Sequence, residues 1–179
     1  MNLQQTQQKQ RQDFMIEFAP LFENVNKLAY KYNQKDVWHG GRGKEYYISY
    51  ILNHAVGEEY TGADAYDKLG ACEYKTTSTN HKSPKFRYNF NKLPTWKEQM
   101  EYLENEKILP YKNHYMIFFD VTGTVSEVWK LKAEVVLELL LKTIKSQYLL
   151  HKDSEKVIDV ALTPTQVREY GEKVNFKNK

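Results

Sequence analysis

Residues 62–75 read Gly62-Ala63-Asp64-Ala65-Tyr66-Asp67-Lys68-Leu69-Gly70-Ala71-Cys72-Glu73-Tyr74-Lys75. Asp at the first position and Gly at the fourth of Asp67-Lys68-Leu69-Gly70 suit a type I turn. The stretch therefore predicts a β-hairpin, with strands near 62–67 and 70–78. Strand side chains alternate between faces. Glu73 and Lys75 then point one way, while Ala63, Ala65, Cys72 and Tyr74 point to a core. A two-residue loop at Lys68-Leu69 pairs Asp67 with Gly70, Tyr66 with Ala71, Ala65 with Cys72 and Asp64 with Glu73. Residues so opposed have Cβ atoms roughly 4.5–5.5 Å apart. A bulge at Gly70 would instead shift the register by one residue and make the contact diagonal.

Opposed carboxylates repel and destabilise a sheet unless something compensates. A divalent cation does so, and Mg²⁺ is commonly held by only one or two protein carboxylates plus water and substrate phosphate. Lys75, on the same face, is placed to orient or deprotonate a water and to stabilise charge developing on phosphorus. That set suits phosphodiester hydrolysis. Glu73-Tyr74-Lys75 carries little information as a tripeptide; its weight comes from the upstream Asp64, the turn, the strand pattern and the apolar opposite face. The competing reading is an exposed hairpin with a Lys–Glu cross-strand pair.

Outward from the hairpin, Phe14, Phe18, Leu21, Phe22, Val25, Leu28, Ala29 and Tyr32 recur at helical spacing and predict helix over 3–34, kinked or split at Pro20. A second helix is expected over 43–56. Residues 85–90 alternate Phe86, Tyr88 and Phe90 with polar residues and predict a third strand. A helix should cover 95–107, starting at Thr95. Two strands follow within 114–131, joined around Thr122-Gly123-Thr124. The apolar stripe of 132–150 predicts a helix. VIDVAL, residues 157–162, predicts a last strand, before Thr163-Pro164 caps a final helix. The expected fold is α+β: a mixed central sheet of about five strands flanked by helices. Residues 1–36 form a helical arm suited to dimerisation, and 37–179 form the main domain.

The chain has 179 residues, a net charge of +3 and one Cys. That length is enough to bury a core without staples. Cys72 alone excludes an internal disulfide framework and a Cys-rich zinc site. No apolar run approaches the roughly 20 residues of a membrane span, and the polar start MNLQQTQQKQRQ has no signal-peptide core. A soluble, cytoplasmic protein without membrane contact is expected.

The hairpin resembles the catalytic hairpin of PD-(D/E)XK nucleases, in particular the Asp-Ala-x-Asp…Gly…Glu-x-Lys version of small PvuII-like type II restriction endonucleases. Order, turn and spacing agree over about 15 residues; the Asp-to-Glu interval is one residue shorter than in PvuII. The resemblance implies a restriction-endonuclease-like core. It implies that Asp64, Glu73 and Lys75 are catalytic, that Asp64, Glu73 and the Tyr74 backbone carbonyl bind Mg²⁺, and that Lys75 is the catalytic lysine. Many members carry a further Glu on the preceding helix; Glu45 is the candidate, with Glu58 and Glu59 competing. Asp67 is assigned to the turn rather than to metal.

Residues 75–97 hold six cationic side chains and no Asp or Glu. Within them, 76–87 combine hydroxyls, an amide and cations, the groups that contact phosphates and base edges. Asn80, His81, Lys82, Lys85 and Arg87 are the DNA-binding candidates, with Arg42 as a further phosphate contact from a Gly-rich loop. The resulting expectation is a Mg²⁺-dependent, sequence-specific double-stranded DNA endonuclease leaving 5′-phosphate and 3′-hydroxyl ends. One candidate centre per chain implies a homodimer for cutting both strands. The alternatives are a structure-selective nuclease such as a Holliday-junction resolvase, and a non-catalytic DNA-binding module.

Overall fold

A computed structural model describes residues 3–34, 37–38, 41–57, 62–150 and 157–176. The chain divides into two compact units, 1–44 and 45–179.

The first unit is dominated by helix α1, Leu3–Lys31, which runs without interruption although Pro20 lies inside it. Of the kink or split expected at Pro20, the split into two helices does not occur. Its apolar residues form a stripe: Phe14 stacks on Phe18 at 5.4 Å between ring centroids, and Phe18 meets Phe22 at 5.9 Å. Trp38 folds back onto Phe22 at 4.8 Å and its indole N–H donates to Asn26 Oδ1 at 2.8 Å. Asn33, in the left-handed region at φ 53°, follows the helix end. Phe14, Phe18, Leu21, Phe22, Val25 and Leu28 all remain exposed.

Helix α2, Arg42–Leu52, straddles the division of the units. It stops four residues short of the expected 56. Asn53 takes a left-handed φ of 57°, and Ala55–Val56 become strand β1. The second unit continues with β2 (Ala65–Asp67), β3 (Gly70–Ser78) and β4 (Phe86–Phe90). Helix α3 (Trp96–Tyr102) begins at the Thr95 cap through a reciprocal Thr95–Glu98 capping box and widens into a π-helical turn, Leu103–Lys107. Then come β5 (Asn113–Phe119), β6 (Val125–Lys132), α4 (Ala133–Leu150), β7 (Ile158–Leu162), α5 (Pro164–Tyr170) and β8 (Glu172–Lys173). Thr163 caps α5 with Pro164 at its start, as the sequence predicts.

The class is α+β, with a mixed sheet of six strands in the order β1-β2-β3-β5-β6-β8. β3 and β5 run parallel and the other neighbours run antiparallel. The strand at 86–90 forms where expected but does not join this sheet. It pairs with β7 in a separate two-stranded ribbon, Phe86 opposite Leu162 and Phe90 opposite Ile158. The reason lies in its alternation: Phe86, Tyr88 and Phe90 all face inward with Ile158, Val160 and Leu162, so the ribbon packs as a lid on the sheet.

Both faces of the sheet are covered. One carries α2 through Ile48 and Ile51 against Ala65, Cys72, Tyr74, Tyr115 and Ile117. The other carries α4 and the β4–β7 ribbon against Met116, Phe118 and Leu131. Val136, Leu140, Ile144 and Tyr148 recur on the inner side of α4; the three aliphatic ones contribute roughly 1.5–3 kcal/mol each on burial. β5 lies between these layers and all its residues are buried. Among the described residues no helix is long and apolar enough to cross a membrane.

Candidate active site

The hairpin register follows its turn for three pairs, Asp67 opposite Gly70, Tyr66 opposite Ala71 and Ala65 opposite Cys72, but the ladder ends there and the expected pairing of Asp64 with Glu73 is not part of it. Gly70 has φ 128°, in the region that favours glycine. Asp67 pins the turn. Its Oδ1 accepts from the Leu69 N–H at 2.7 Å and the Gly70 N–H at 3.1 Å. Its Oδ2 accepts from Asn113 Nδ2 at 2.6 Å and the Tyr115 hydroxyl at 2.9 Å. Burial works against the charge of Asp67, but the Asn113, Leu69 and Tyr115 bonds outweigh it and hold the carboxyl below its ordinary value. The structural role expected for Asp67 is the one it fills.

Strand β2 is shorter than expected and starts at Ala65, so Asp64 sits just before it. The Asp64 side chain still reaches across the hairpin, where Oδ2 accepts from the Tyr74 N–H at 2.6 Å. N–H and C=O of one strand residue point to the same edge, so the Tyr74 carbonyl opens on the side of Asp64. Glu73 and Lys75 share the sheet face opposite Cys72 and Tyr74, as alternation requires, and form an ion pair. Burial first, and the charge of Glu73 second, push the Asp64 carboxyl up to about 7; the Tyr74 bond and Lys75 counter them. Glu45, in the first turn of α2, also raises it. Asp64, Glu73 and Glu45 therefore act on one electrostatic centre, with Lys75 as the opposing charge. Glu58 and Glu59 lie outside the described residues.

The donor set fits a hard divalent cation in one respect. Asp64 is a carboxyl held far above its ordinary 3.8 in part by a neighbouring carboxylate, the excess of negative charge that such an ion relieves. Among the described residues, however, no group of three or more His, Cys, Asp or Glu is gathered closely enough to hold a metal by itself. Asp64, Glu73 and the Tyr74 carbonyl would have to share the ion with water.

Three residues that the sequence reading assigned no role border this centre. Lys75 Nζ lies 5.0 Å from the ring centroid of Tyr88, which reaches in from β4. The Tyr88 hydroxyl lies 3.0 Å from His114 Nδ1, and His114 Nε2 lies 3.1 Å from the Ile108 carbonyl oxygen. The carbonyl accepts only, so Nε2 carries the proton and Nδ1 accepts from the tyrosine. His114 is buried, and that burial pulls its pKa down to about 4, leaving the ring neutral. Tyr111 donates to the Gly62 carbonyl at 3.3 Å, and burial, with the charges of Glu73 and Asp64, raises its hydroxyl to about 12. In the sequence, Tyr88 stood out only through the alternation of 85–90, and no spacing singled out Tyr111 or His114.

A groove of about 470 Å³ continues from Lys75 along β3, lined by Thr76, Ser78, His81, Ser83 and Lys85 among others. Of the DNA-contact candidates, His81, Lys85 and Arg87 line it, while Asn80 and Lys82 do not. Arg87 is bound to Asp159 across the ribbon at 2.6 Å. His81 holds its own turn, with Nδ1 3.2 Å from the Ser83 amide nitrogen. Arg42 is the first residue of α2 rather than part of a loop, and it is buried. On the opposite face, burial raises the Cys72 thiol, which fits an inert packing role. The Tyr74 hydroxyl there meets Ser49 Oγ at 3.1 Å and His54 Nδ1 at 2.9 Å.

No family model matches the chain, and no curated protein matches it.

Proposed function

We propose that the chain is a Mg²⁺-dependent DNA endonuclease of the PD-(D/E)XK type, with a restriction-endonuclease-like core, acting as a type II restriction enzyme on double-stranded DNA. The observation that supports this reading is that Asp64, Glu73 and Lys75 act on one another's charges beside a tight hairpin, with a cation-bearing groove leading away from Lys75. Asp64, Glu73 and the Tyr74 carbonyl would hold the ion, and Glu45 stands behind them. A divalent ion bound there lowers the pKa of its water and takes up charge developing on the phosphate. Lys75 places an ammonium where that charge develops. Asp64 and Glu73, both partly sequestered from solvent, keep the acidic side of the site fixed on the strand framework. Lys85 and the hydroxyl of Thr77, which alternation puts on the Lys75 face, supply phosphate and base-edge contacts along the groove. Hydrolysis leaves 5′-phosphate and 3′-hydroxyl ends. The exposed stripe of α1 is the surface assigned to pairing two copies, which gives one centre for each strand.

Digestion of a mapped plasmid with and without Mg²⁺ tests the proposal. Discrete bands that require Mg²⁺ and vanish in Lys75→Ala are expected. Cleavage of four-way junctions alone would move the function to the resolvase alternative. Binding to DNA without cleavage under any divalent ion would leave only the non-catalytic module.

A further inference from the structure

Lys75 has a long, flexible side chain, and among the described residues its one ion pair is with Glu73. Glu73 is also assigned to the cation, so any ion taking that carboxylate competes with the ammonium for it. A second, neutral contact is then needed to keep the amine in place. The face of Tyr88 is such a contact; an ammonium over an aromatic ring is attracted by the ring's quadrupole. The ring itself is not free to turn. Tyr88 is buried, its hydroxyl is bound by His114, and His114 is bound in turn by the Ile108 carbonyl. The two residues come from different layers, Lys75 from the six-stranded sheet and Tyr88 from the β4–β7 ribbon.

We propose that Tyr88, locked by His114 and Ile108, is a positioning residue that holds the Lys75 ammonium at the site independently of Glu73. The inference rests on the nuclease reading for its consequence, not for its geometry. An ammonium over the face of a ring brings the lysine ε-methylene into the ring current. In protein labelled with ¹³C-lysine, the Lys75 ε-methylene, identified by its loss in Lys75→Arg, is expected upfield of the other lysines. Tyr88→Leu returns it to the bulk position and Tyr88→Phe keeps it displaced. In plasmid cleavage, Tyr88→Leu lowers kcat about tenfold or more with KM for DNA unchanged, and Tyr88→Phe stays within about threefold of the parent. An undisplaced signal in the parent protein, or a kcat unaffected by Tyr88→Leu, overturns the proposal. If Tyr88→Leu does not fold, the parent protein decides: absence of a nuclear Overhauser contact between the Lys75 ε-methylene and the Tyr88 ring protons overturns the proposal. A displaced signal lost in Tyr88→Leu, in a protein that cleaves no DNA, sinks the nuclease reading and leaves the positioning contact standing.

Discussion

Asp64 shows how one residue sets the balance between stability and chemistry. Its carboxyl titrates near 7 in the folded chain, against an ordinary 3.8. The folded state therefore holds this proton more tightly than the unfolded one. The stabilising contribution is complete below about pH 4 and is lost as pH rises through about 7. Above that, two neighbouring carboxylates are charged at once. Asp64→Asn keeps an oxygen for the Tyr74 N–H and removes the charge, so it is expected to stabilise the metal-free protein at pH 8 by on the order of 2 kcal/mol and to do nothing at pH 4. Denaturant melts at both pH values check this; equal midpoints at pH 8 would contradict it. The same change should abolish Mg²⁺-dependent cleavage. Of this site, Glu73 and Lys75 were legible because strand alternation leaves little freedom, whereas Asp64 lies before β2 and reaches across through its bond to the Tyr74 N–H rather than by the pairing the turn predicted. Tyr88, Tyr111 and His114 were not. They arrive from other elements, and no local spacing encodes a contact between a residue on β3 and one on β4.

At the scale of elements, alternation located β4 but not its partner. Phe86, Tyr88 and Phe90 have the same period whether they sit within the main sheet or on a ribbon above it. Pairing with β7 is a contact across about 70 residues of sequence, and sequence periodicity carries no information on which strand an edge will choose. The consequence reaches the groove. Lys85 precedes the ribbon and forms no ion pair among the described residues, whereas Arg87 faces Asp159. Lys85→Ala is expected to weaken DNA binding and to lower the salt slope by about 1. Arg87→Ala should change affinity much less, because its charge is already balanced. Fluorescence anisotropy titrations across a salt series distinguish the two, and equal losses would place Arg87 among the contacts after all. Two helix starts were read more accurately: Thr95 and Thr163 cap where their sequences say, since a capping box is entirely local.

At the scale of the molecule, α1 carries more exposed aromatic and aliphatic surface than a soluble arm ordinarily leaves to water. A double change, Phe18→Asp with Leu21→Asp, is expected to convert a dimer into a monomer in sedimentation, with the far-ultraviolet spectrum otherwise preserved, and to turn plasmid linearisation into nicking. A monomeric parent protein would remove α1 from that role. The α+β class was legible from the ordering of elements. The two edge strands of the sheet were not, because β1 and β8 are two residues each and owe their existence to neighbours already in place.

Every residue of β5 is enclosed, one side by the α2 layer and the other by α4 and the ribbon. Replacing any of them with a charged residue strands that group without water, on whichever side it falls. The turns at 79–85 and 120–124 bear no such constraint, and the first of them borders the groove. The molecule thus confines its room for evolutionary drift to loops, one of which lies beside the surface where a ligand's identity would be read. A lineage of such chains could exchange one target for another while the scaffold beneath stays frozen.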